Sequence, residues 1–460
     1  MAGKSAKKQN RGNNPTLYGT NVSGKELDYH TIESARTASS FKVTGGDIAD
    51  GLKPGNGYAY HCFSHNPGTG VQDLTIIGEG NIEVLIVAGG GTGGATIAGG
   101  GGAGGVLHGT IPVTEGTYKV KVGKGAWGPT TYPQGCGGEP SDFYAPGASF
   151  PSPTTFARAY GGGSGGGYAL VHGAPEYTPG TTWQGGGGAG GSGGGTGNQY
   201  GTKGAPGFSG RDSQPGAVGL AYTGNAMPFS PITPAPYDPS APGVSVQTNP
   251  YGSDAPVGSP GEDWSTGKFN QGEFPSTYYM GLQGYGNRGG MAYGPSLDGG
   301  GAGGGGAGGA GEDRGSAPAS NEPSTVRGAD GGTGMQFAGF TAPLFCDPTT
   351  PNGAAVKTAL DPLGGYFAGG GGGSNYNATQ GQNYGGGRGG DGGGGSGSPN
   401  GGPPGPFSPT VFNRPPNNYD ANAVSAVLYS GGGGGGQGYS YGSVGSGGPG
   451  IVIIRYASYS

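Results

Sequence analysis

The residues best equipped for chemistry in this chain are few and scattered. His61, Cys62 and His65 lie in the segment HCFSH, a grouping that could suggest a metal cluster. On a strand, however, His61 and Cys62 point to opposite faces, and no second pair follows at zinc-like spacing, so they read as strand residues. Cys62, Cys136 and Cys346 are odd in number and far apart, which fits reduced structural thiols better than a disulfide framework. His108 and His172 stand alone beside glycine blocks and carry no assigned role. The carboxylates Glu139, Asp142, Glu176, Glu262, Asp263, Glu312 and Asp313 fall in segments that read as loops. Cleaving a polysaccharide would require two of them roughly 5 to 9.5 Å apart, a condition linear spacing cannot impose. The pairs Glu262-Asp263 and Glu312-Asp313 lack the ligand pattern of a strong calcium loop and read as solvated turns. GxGxxG patterns abound because glycine does, and none links a strand to a helix-forming stretch, while Gly3-Lys4-Ser5 lacks the upstream glycine of a phosphate loop. Arg388 in GGGRGGDGGG is a single arginine beside an acid, a weak basis for RNA binding. No catalytic residue, metal or cofactor is assigned.

Aromatic residues are the better candidates for function. Trp127, Tyr132 and Tyr144 fall in one loop region, Tyr177 and Trp183 in the next, and Trp264, Tyr278, Tyr279 and Tyr285 in the longest. Tyr and Trp give broad contact area at modest entropic cost, which suits recognition. More than half of the aromatics are nevertheless expected to be structural, because little else is large enough to cover a scaffold made of glycine.

The elements that must position these residues begin with the stretch IEVLIVAGGGTGG, residues 82 to 94, where an apolar run passes directly into glycine. Its mate is GGPGIVIIRY, residues 447 to 456. Successive apolar residues imply cover on both faces, and the two runs are expected to lie side by side, so that everything between them is one excursion from a small β unit. Further strands are expected at Phe41–Val43, Tyr58–Phe63, Val71–Ile77 and Thr117–Val122. In the last of these Tyr118, Val120 and Val122 alternate with Thr117, Lys119 and Lys121, leaving one face wet. Six strands suffice for a small antiparallel sandwich. The expected organisation is a basic extended arm over residues 1 to 40, a β-sandwich over 41 to 125 plus 447 to 460, and a glycine-rich region over 126 to 446. The fold class is mainly β with little or no α-helix.

Composition sets the rest. With 120 glycines and 39 prolines in 460 residues, and a hydrophobic share of 31 %, there is no core for the whole length. Collagen is excluded, since glycine does not recur at every third position. The formal net charge of −5 argues against nucleic acid as a partner, and no apolar run is long enough for a signal peptide or membrane span. Glycine blocks at 89–94, 99–105, 161–167, 185–195, 299–311, 369–373, 385–395 and 431–436 alternate with loops rich in Pro, Tyr and Asn. Ordering each glycine costs at least ~1 to 2 kcal/mol, which a lone block cannot offset. A bundle can. Left-handed threefold helices of the polyproline II kind point every N–H and C=O outward, so packed neighbours can bond to each other at ~0.5 to 1.5 kcal/mol net per bond, and only glycine lets the backbones approach on several sides.

The segments GYAYHCF, NIEVLIVAGGG, GGGGAGGVL, TYKVKVG and GGGGGGQGYSYGSVGSGGPGIVIIRY resemble the glycine-rich domains of bacteriophage tail fibres and tail-tip adhesins, especially those of cyanophages. They cover about a third of the chain. The resemblance implies a polyglycine II bundle clamped by a β-sandwich, with long irregular loops that recognise a host cell-surface glycan or outer-membrane protein, in a virion protein made in the host cytoplasm and present as a homo-oligomer. The sequence departs from the family at GKGAWG and in the long insertion Thr196 to Asp298. Only about 40 residues precede the first strand, so docking onto other virion proteins of the tail or capsid falls to the basic arm, with Lys4, Lys7, Lys8, Arg11 and Tyr18 as candidates. A capsid or tail-hub decoration protein and a depolymerase spike are the competing expectations.

Overall fold

The computed structural model describes residues 41–65, 70–127, 135–147, 155–167, 190–197, 282–290, 300–314, 328–375, 385–398, 422–438 and 443–458, with short pieces at 169–170, 199–200, 225–226 and 292. The chain is mainly β, with 29 % strand and 7 % helix. In chain order the strands are β1 (Lys42–Gly45), β2 (Tyr58–Ser64), β3 (Gln72–Ile77), β4 (Gly80–Val87), β5 (Val106–Val113), β6 (Gly116–Lys121), β7 (Ser141–Tyr144) and β8 (Thr155–Ala159). There follow β9 (Ala169–Leu170), β10 (Gln199–Tyr200), β11 (Asn225–Ala226), β12 (Leu282–Tyr285), β13 (Met335–Gln336), β14 (Tyr366–Phe367) and β15 (Ile451–Ala457). The helices are α1 (Ala342–Phe345) and α2 (Pro351–Leu360).

Two antiparallel sheets dominate. One runs β1-β3-β6-β7-β8-β11 and the other β12-β5-β4-β15-β2. The two apolar runs meet as expected, with Ile451 opposite Val87 and Ile453 opposite Leu85, and the other edge of β15 pairs with β2. The C-terminal strand is therefore internal to its sheet. One buried cluster draws Ile82, Val84, Ile86, Val452 and Ile454 from this sheet and Leu74, Tyr118, Val120 and Phe143 from the other. A second cluster covers the opposite face of the five-stranded sheet, where Leu85, Val87, Ile451 and Ile453 meet Phe337, Phe340, Phe345, Val356 and Leu360. Cover on both faces is why β4 and β15 read as unbroken apolar runs.

Two features differ from the sequence expectation. β5, which pairs with β4 over eight residues, was not counted, nor were β7, β8 and β12. α2 stands in the region expected to hold only glycine tracts and loops. Thr350 caps it by accepting from the Gly353 amide at 3.1 Å, Pro351 opens it, and Val356 and Leu360 bury one face.

The glycine tracts bond to one another through their backbones with a recurrence of three residues. In residues 99–105 the amides of Gly99, Gly102 and Gly105 donate to Gly166, Gly163 and Tyr160, those of Gly100 and Ala103 to Ala302 and Gly305, and those of Gly101 and Gly104 to Gly434 and Gly431. Each bond spans 2.8 or 3.0 Å. The carbonyls serve three further tracts: Gly94, Gly91 and Ala88 donate to Gly99, Gly102 and Gly105, Gly195 and Ser192 to Gly100 and Ala103, and Ser374 and Gly371 to Ala98 and Gly101. This tract thus has six bonded neighbours. Glycine is obligatory where they close in, since a Cβ on Gly100 would lie 2.0 Å from the Gly371 carbonyl oxygen and one on Gly101 2.2 Å from that of Gly91. Side-chain hydroxyls add acceptors: Ser374 Oγ takes the Ala98 amide at 2.7 Å, Thr92 Oγ1 that of Cys136 at 2.7 Å, and Thr196 Oγ1 that of Ala292 at 2.6 Å.

Candidate functional site

The clusters that look chemical are consumed by the scaffold. On β15, Arg455 donates to Glu83 Oε2 from Nε at 2.8 Å and from Nη2 at 2.7 Å, and to the Gly339 carbonyl from Nη1 at 3.1 Å. Its guanidinium lies between the rings of Tyr58 and Phe340, 4.6 and 4.9 Å from their centroids. His108 reaches the other oxygen of Glu83 at 3.0 Å. Burial alone would raise the Glu83 carboxyl, but the hydrogen bonds and charge of His108 and Arg455 hold it below the usual range. The group joins β4, β5 and β15 to the segment that precedes α1.

Asp142 on β7 is buried beneath Arg158, whose Nε donates at 2.6 Å, and accepts the Tyr144 hydroxyl at 2.9 Å. Burial and then the Asp142 charge push the Tyr144 hydroxyl far up, so it stays protonated. Cys62, Cys346 and Asp47 line one small cavity beside the start of α2. Burial raises both thiols, that of Cys346 to about 12, so neither supplies a thiolate near neutral pH. His61 and Cys62 do face opposite ways. Ala59 and Phe63, on the His61 side, join the first cluster, while Cys62 joins the second. Among the described residues no group of three or more His, Cys, Asp or Glu is placed to hold a metal. Of the paired acids noted in the sequence, Asp313 accepts Arg288 at 2.8 Å and Glu312 accepts the Asp330 amide at 2.7 Å, while Glu262 and Asp263 lie outside the described residues.

Among the predicted recognition aromatics, two are corrected. Tyr144 lies in a strand, 2 % exposed, and Tyr285 lies in β12, 8 % exposed and edge-on to Phe337 at 5.5 Å, so neither offers a ring to a receptor. Trp127 is the opposite case, 83 % exposed. Tyr132, Tyr177, Trp183, Trp264, Tyr278 and Tyr279 lie outside the described residues, as do Lys4, Lys7, Lys8, Arg11 and Tyr18 of the arm.

Around Trp127 the structure groups side chains that sequence reasoning missed. Residues 123–126, 443–450 and 422–428 lie next to one another, tied by bonds from Gly450 to Gly123, Gly447 to Ala126, Ala423 to Ser443 and Ala426 to Ser446. The first two bonds fix an antiparallel register that brings Trp127 level with Ser446 and Lys124 level with Pro449. Side chains recur on the outer face every third residue: Lys124 and Trp127; Asn422, Ser425 and Leu428; and Ser443, Ser446 and Pro449, the last two half-buried and the others exposed. Asn422 Oδ1 accepts the Ser443 amide at 2.7 Å, and Ser425 Oγ accepts the Ser446 amide at 3.1 Å. The next members break the series, since Leu428 has no side-chain acceptor and Pro449 no backbone N–H to donate. The spacing of three within NAVSAVL and SVGSGGP, offset by 21 residues, was the available signal.

No protein-family model matches the chain, and no curated protein matches it either.

Proposed function

We infer that the chain is a virion protein of a bacteriophage, a tail fibre or adhesin, in which a β-sandwich built from the N-terminal strands and the C-terminal strand clamps a polyglycine II bundle. The observation that carries this reading is the three-residue recurrence of amide bonding about residues 99–105, with six neighbours around one tract. A threefold helix turns successive amides by roughly 120°, which distributes donors over three neighbours and acceptors over three more. Such a scaffold needs no large apolar core, and it fixes the ends of many intervening loops at once. A receptor-binding protein uses that property, because loops can vary in sequence while the frame beneath them stays constant.

In this reading the basic arm, with Lys4, Lys7, Lys8, Arg11 and Tyr18, attaches the protein to other virion proteins, and the loops meet a surface glycan or outer-membrane protein of the host. No catalytic step is involved. The test is to exchange residues 196–298 for the corresponding insertion of a related fibre and to score adsorption across host strains. A shift in host range supports the reading. Unchanged adsorption by particles that incorporate the exchanged protein refutes recognition by that loop and leaves an assembly role.

A further inference from the structure

We propose that the outer face made by residues 123–127, 443–449 and 422–428 is a binding platform for pyranose rings of a surface polysaccharide, with Trp127 as the stacking surface. This rests on the adhesin reading and names a ligand class and site within it. Three observations support it.

First, the indole of Trp127 is 83 % exposed, while the residue before it, Ala126, is buried and bonded on both sides, donating to Gly90 and accepting from Gly447 at 2.9 Å each. The exposed ring therefore sits on a fixed backbone, and its capture of a ligand demands little ordering. Second, the positions level with Trp127 and one repeat beyond it are polar and short, whereas the apolar members of the face, Leu428, 57 % exposed, and Pro449, lie one repeat the other way, level with Lys124. Ser446 is level with Trp127, and Ser425 lies beyond it, its oxygen accepting the Ser446 amide and its own hydroxyl proton without an acceptor among the described residues. Among the described residues Asn422 uses only its Oδ1, toward Ser443, which leaves the amide nitrogen to donate. A protein-docking patch would surround an exposed Trp with apolar area that excludes water. Here the indole has hydrogen-bonding groups on its own level and on the level beyond, and apolar neighbours only on the Lys124 level.

Third, that combination matches the chemistry of a sugar ring. A pyranose carries weakly positive C–H groups on one face, which complement the negative face of an indole, and hydroxyls around its rim, which require donors and acceptors to the side. Lys124 lies three residues before Trp127 on the same outer face and is exposed. Its ammonium places a positive charge where an acidic sugar or a phosphate substituent would lie, roughly 9 Å along the tract for a threefold rise. The platform thus favours an acidic polysaccharide over a neutral one.

The experiment uses the full chain against a printed panel of purified bacterial capsular and O-antigen polysaccharides, neutral and acidic. Trp127→Ala, Trp127→Phe, Ser425→Ala and Lys124→Gln are compared with the wild type. Since the chain has three tryptophans, a Trp183→Phe/Trp264→Phe background leaves Trp127 as the only indole, and its emission is followed as polysaccharide is added. The expected result is capture of at least one acidic polysaccharide, a loss of at least tenfold in affinity for Trp127→Ala, retention within about threefold for Trp127→Phe, and a blue shift of the single-tryptophan emission. Thermal midpoints stay the same for the Trp127 and Lys124 variants, whose altered groups are exposed, while Ser425→Ala also removes the acceptor of the Ser446 amide and lowers the midpoint slightly. Equal binding by wild type and Trp127→Ala overturns the platform while leaving recognition by other loops intact. Failure of the wild type to capture any polysaccharide overturns the platform, and if the wild type also fails to label host cells the adhesin reading falls with it.

Discussion

Replacing Gly101 by alanine tests the close packing of the tracts directly. The added Cβ would lie 2.2 Å from the Gly91 carbonyl oxygen and 2.6 Å from that of Thr92, both backbone atoms. Restoring ordinary contact requires the 91–92 backbone to retreat by about 1 Å, since contacts become normal only from 3.4 Å. That movement strains the bond from the Gly91 amide to Gly102, 2.9 Å, and the bond its carbonyl accepts from Gly434, also 2.9 Å. Overpacking a closed interior costs about 1 to 3 kcal/mol, and each buried backbone group left unpaired adds about 1 to 3 kcal/mol. Alanine recovers only about 0.4 to 1 kcal/mol by restricting the unfolded chain. The expected net loss is about 4 kcal/mol. Gly137→Ala is the matched control: that glycine is exposed, its nearest contact would be the Gly162 oxygen at 3.3 Å, and the unfolded-state gain is the same, so stability stays within about 0.5 kcal/mol. Guanidinium unfolding gives the two free energies, and amide hydrogen exchange in peptides spanning 99–105 and 431–436 shows whether the loss is local to the tracts. If the two variants differ by less than about 1 kcal/mol, or if residues 99–105 exchange as fast as a free peptide in the wild type, the close-packed arrangement is wrong.

Further outcomes follow from the same structure. Arg455→Met removes the two nitrogens that meet Glu83 Oε2 and the cation stacked on Tyr58 and Phe340, an expected loss of about 2 to 3 kcal/mol in denaturant unfolding; Arg455→Lys restores only part of it, because a single ammonium cannot also reach the Gly339 carbonyl and lacks the planar guanidinium face. His61 is buried with Nδ1 on the Gly45 carbonyl at 2.8 Å and Nε2 without a partner among the described residues, and burial holds its pKa below the ordinary value near 6.5. The unfolded chain therefore takes up a proton that the fold resists: stability is intact above pH 6.5 and falls as pH drops through it, by up to about 1.4 kcal/mol per pH unit until the folded pKa is reached. His61→Asn, whose amide nitrogen can reproduce the bond to Gly45, is expected to remove that slope between pH 6.5 and 5.5, whereas a slope equal to wild type would assign it to another group. Truncation before Ile451 deletes the strand between β4 and β2 and is expected to leave no folded protein, read as loss of protease resistance; a resistant truncated chain would show that the sheet closes without it.

The parts of the fold that sequence revealed are those where one residue type has one meaning. Ile82 to Val87 and Ile451 to Ile454 are apolar at successive positions, which only a strand covered on both faces explains, and each has its predicted neighbour. β6 was equally legible, since Tyr118 and Val120 are buried and Lys119 and Lys121 are not. β5 was obscure because its run, VLHGTIPV, mixes His108, Gly109 and Pro112 into a strand whose apolar pattern is broken. α2 carried readable signals in Thr350 and Pro351, and the 3-10 turn 361–363 that continues it in the left-handed Gly364, but they are submerged in a region dominated by glycine. Tyr144 and Tyr285 could not be told from surface aromatics, since their burial depends on pairings with β6 and β5 that span many residues. Which tract bonds to which was invisible for a related reason: runs of identical glycines carry no register, and the side chains that set it, such as Asn422 and Ser425, become informative only beside Ser443 and Ser446.

That lack of register explains how the tracts join the sheets. β4 runs directly into residues 88–94, residues 99–105 lead into β5, β8 continues into 160–167, β12 into 286–290, and 443–450 into β15. A polyglycine segment gains about 0.5 to 1.5 kcal/mol per bond against an ordering cost of about 1 to 2 kcal/mol per residue, so it is marginal alone and prone to slip by three residues without changing its bonding. A strand does not slip in this way, because a shift of one residue moves every side chain to the wrong face. By growing out of strands whose side chains fix their register, these five tracts inherit an alignment that their own composition cannot supply. Tracts remote from the sheets need another device. The Glu312 carboxylate on the Asp330 amide and the Asp330 carboxylate on the Arg388 amide join such tracts to one another, and the Arg288–Asp313 ion pair ties one of them to the tract that grows out of β12. Charged residues within otherwise featureless glycine are thus best understood as register marks.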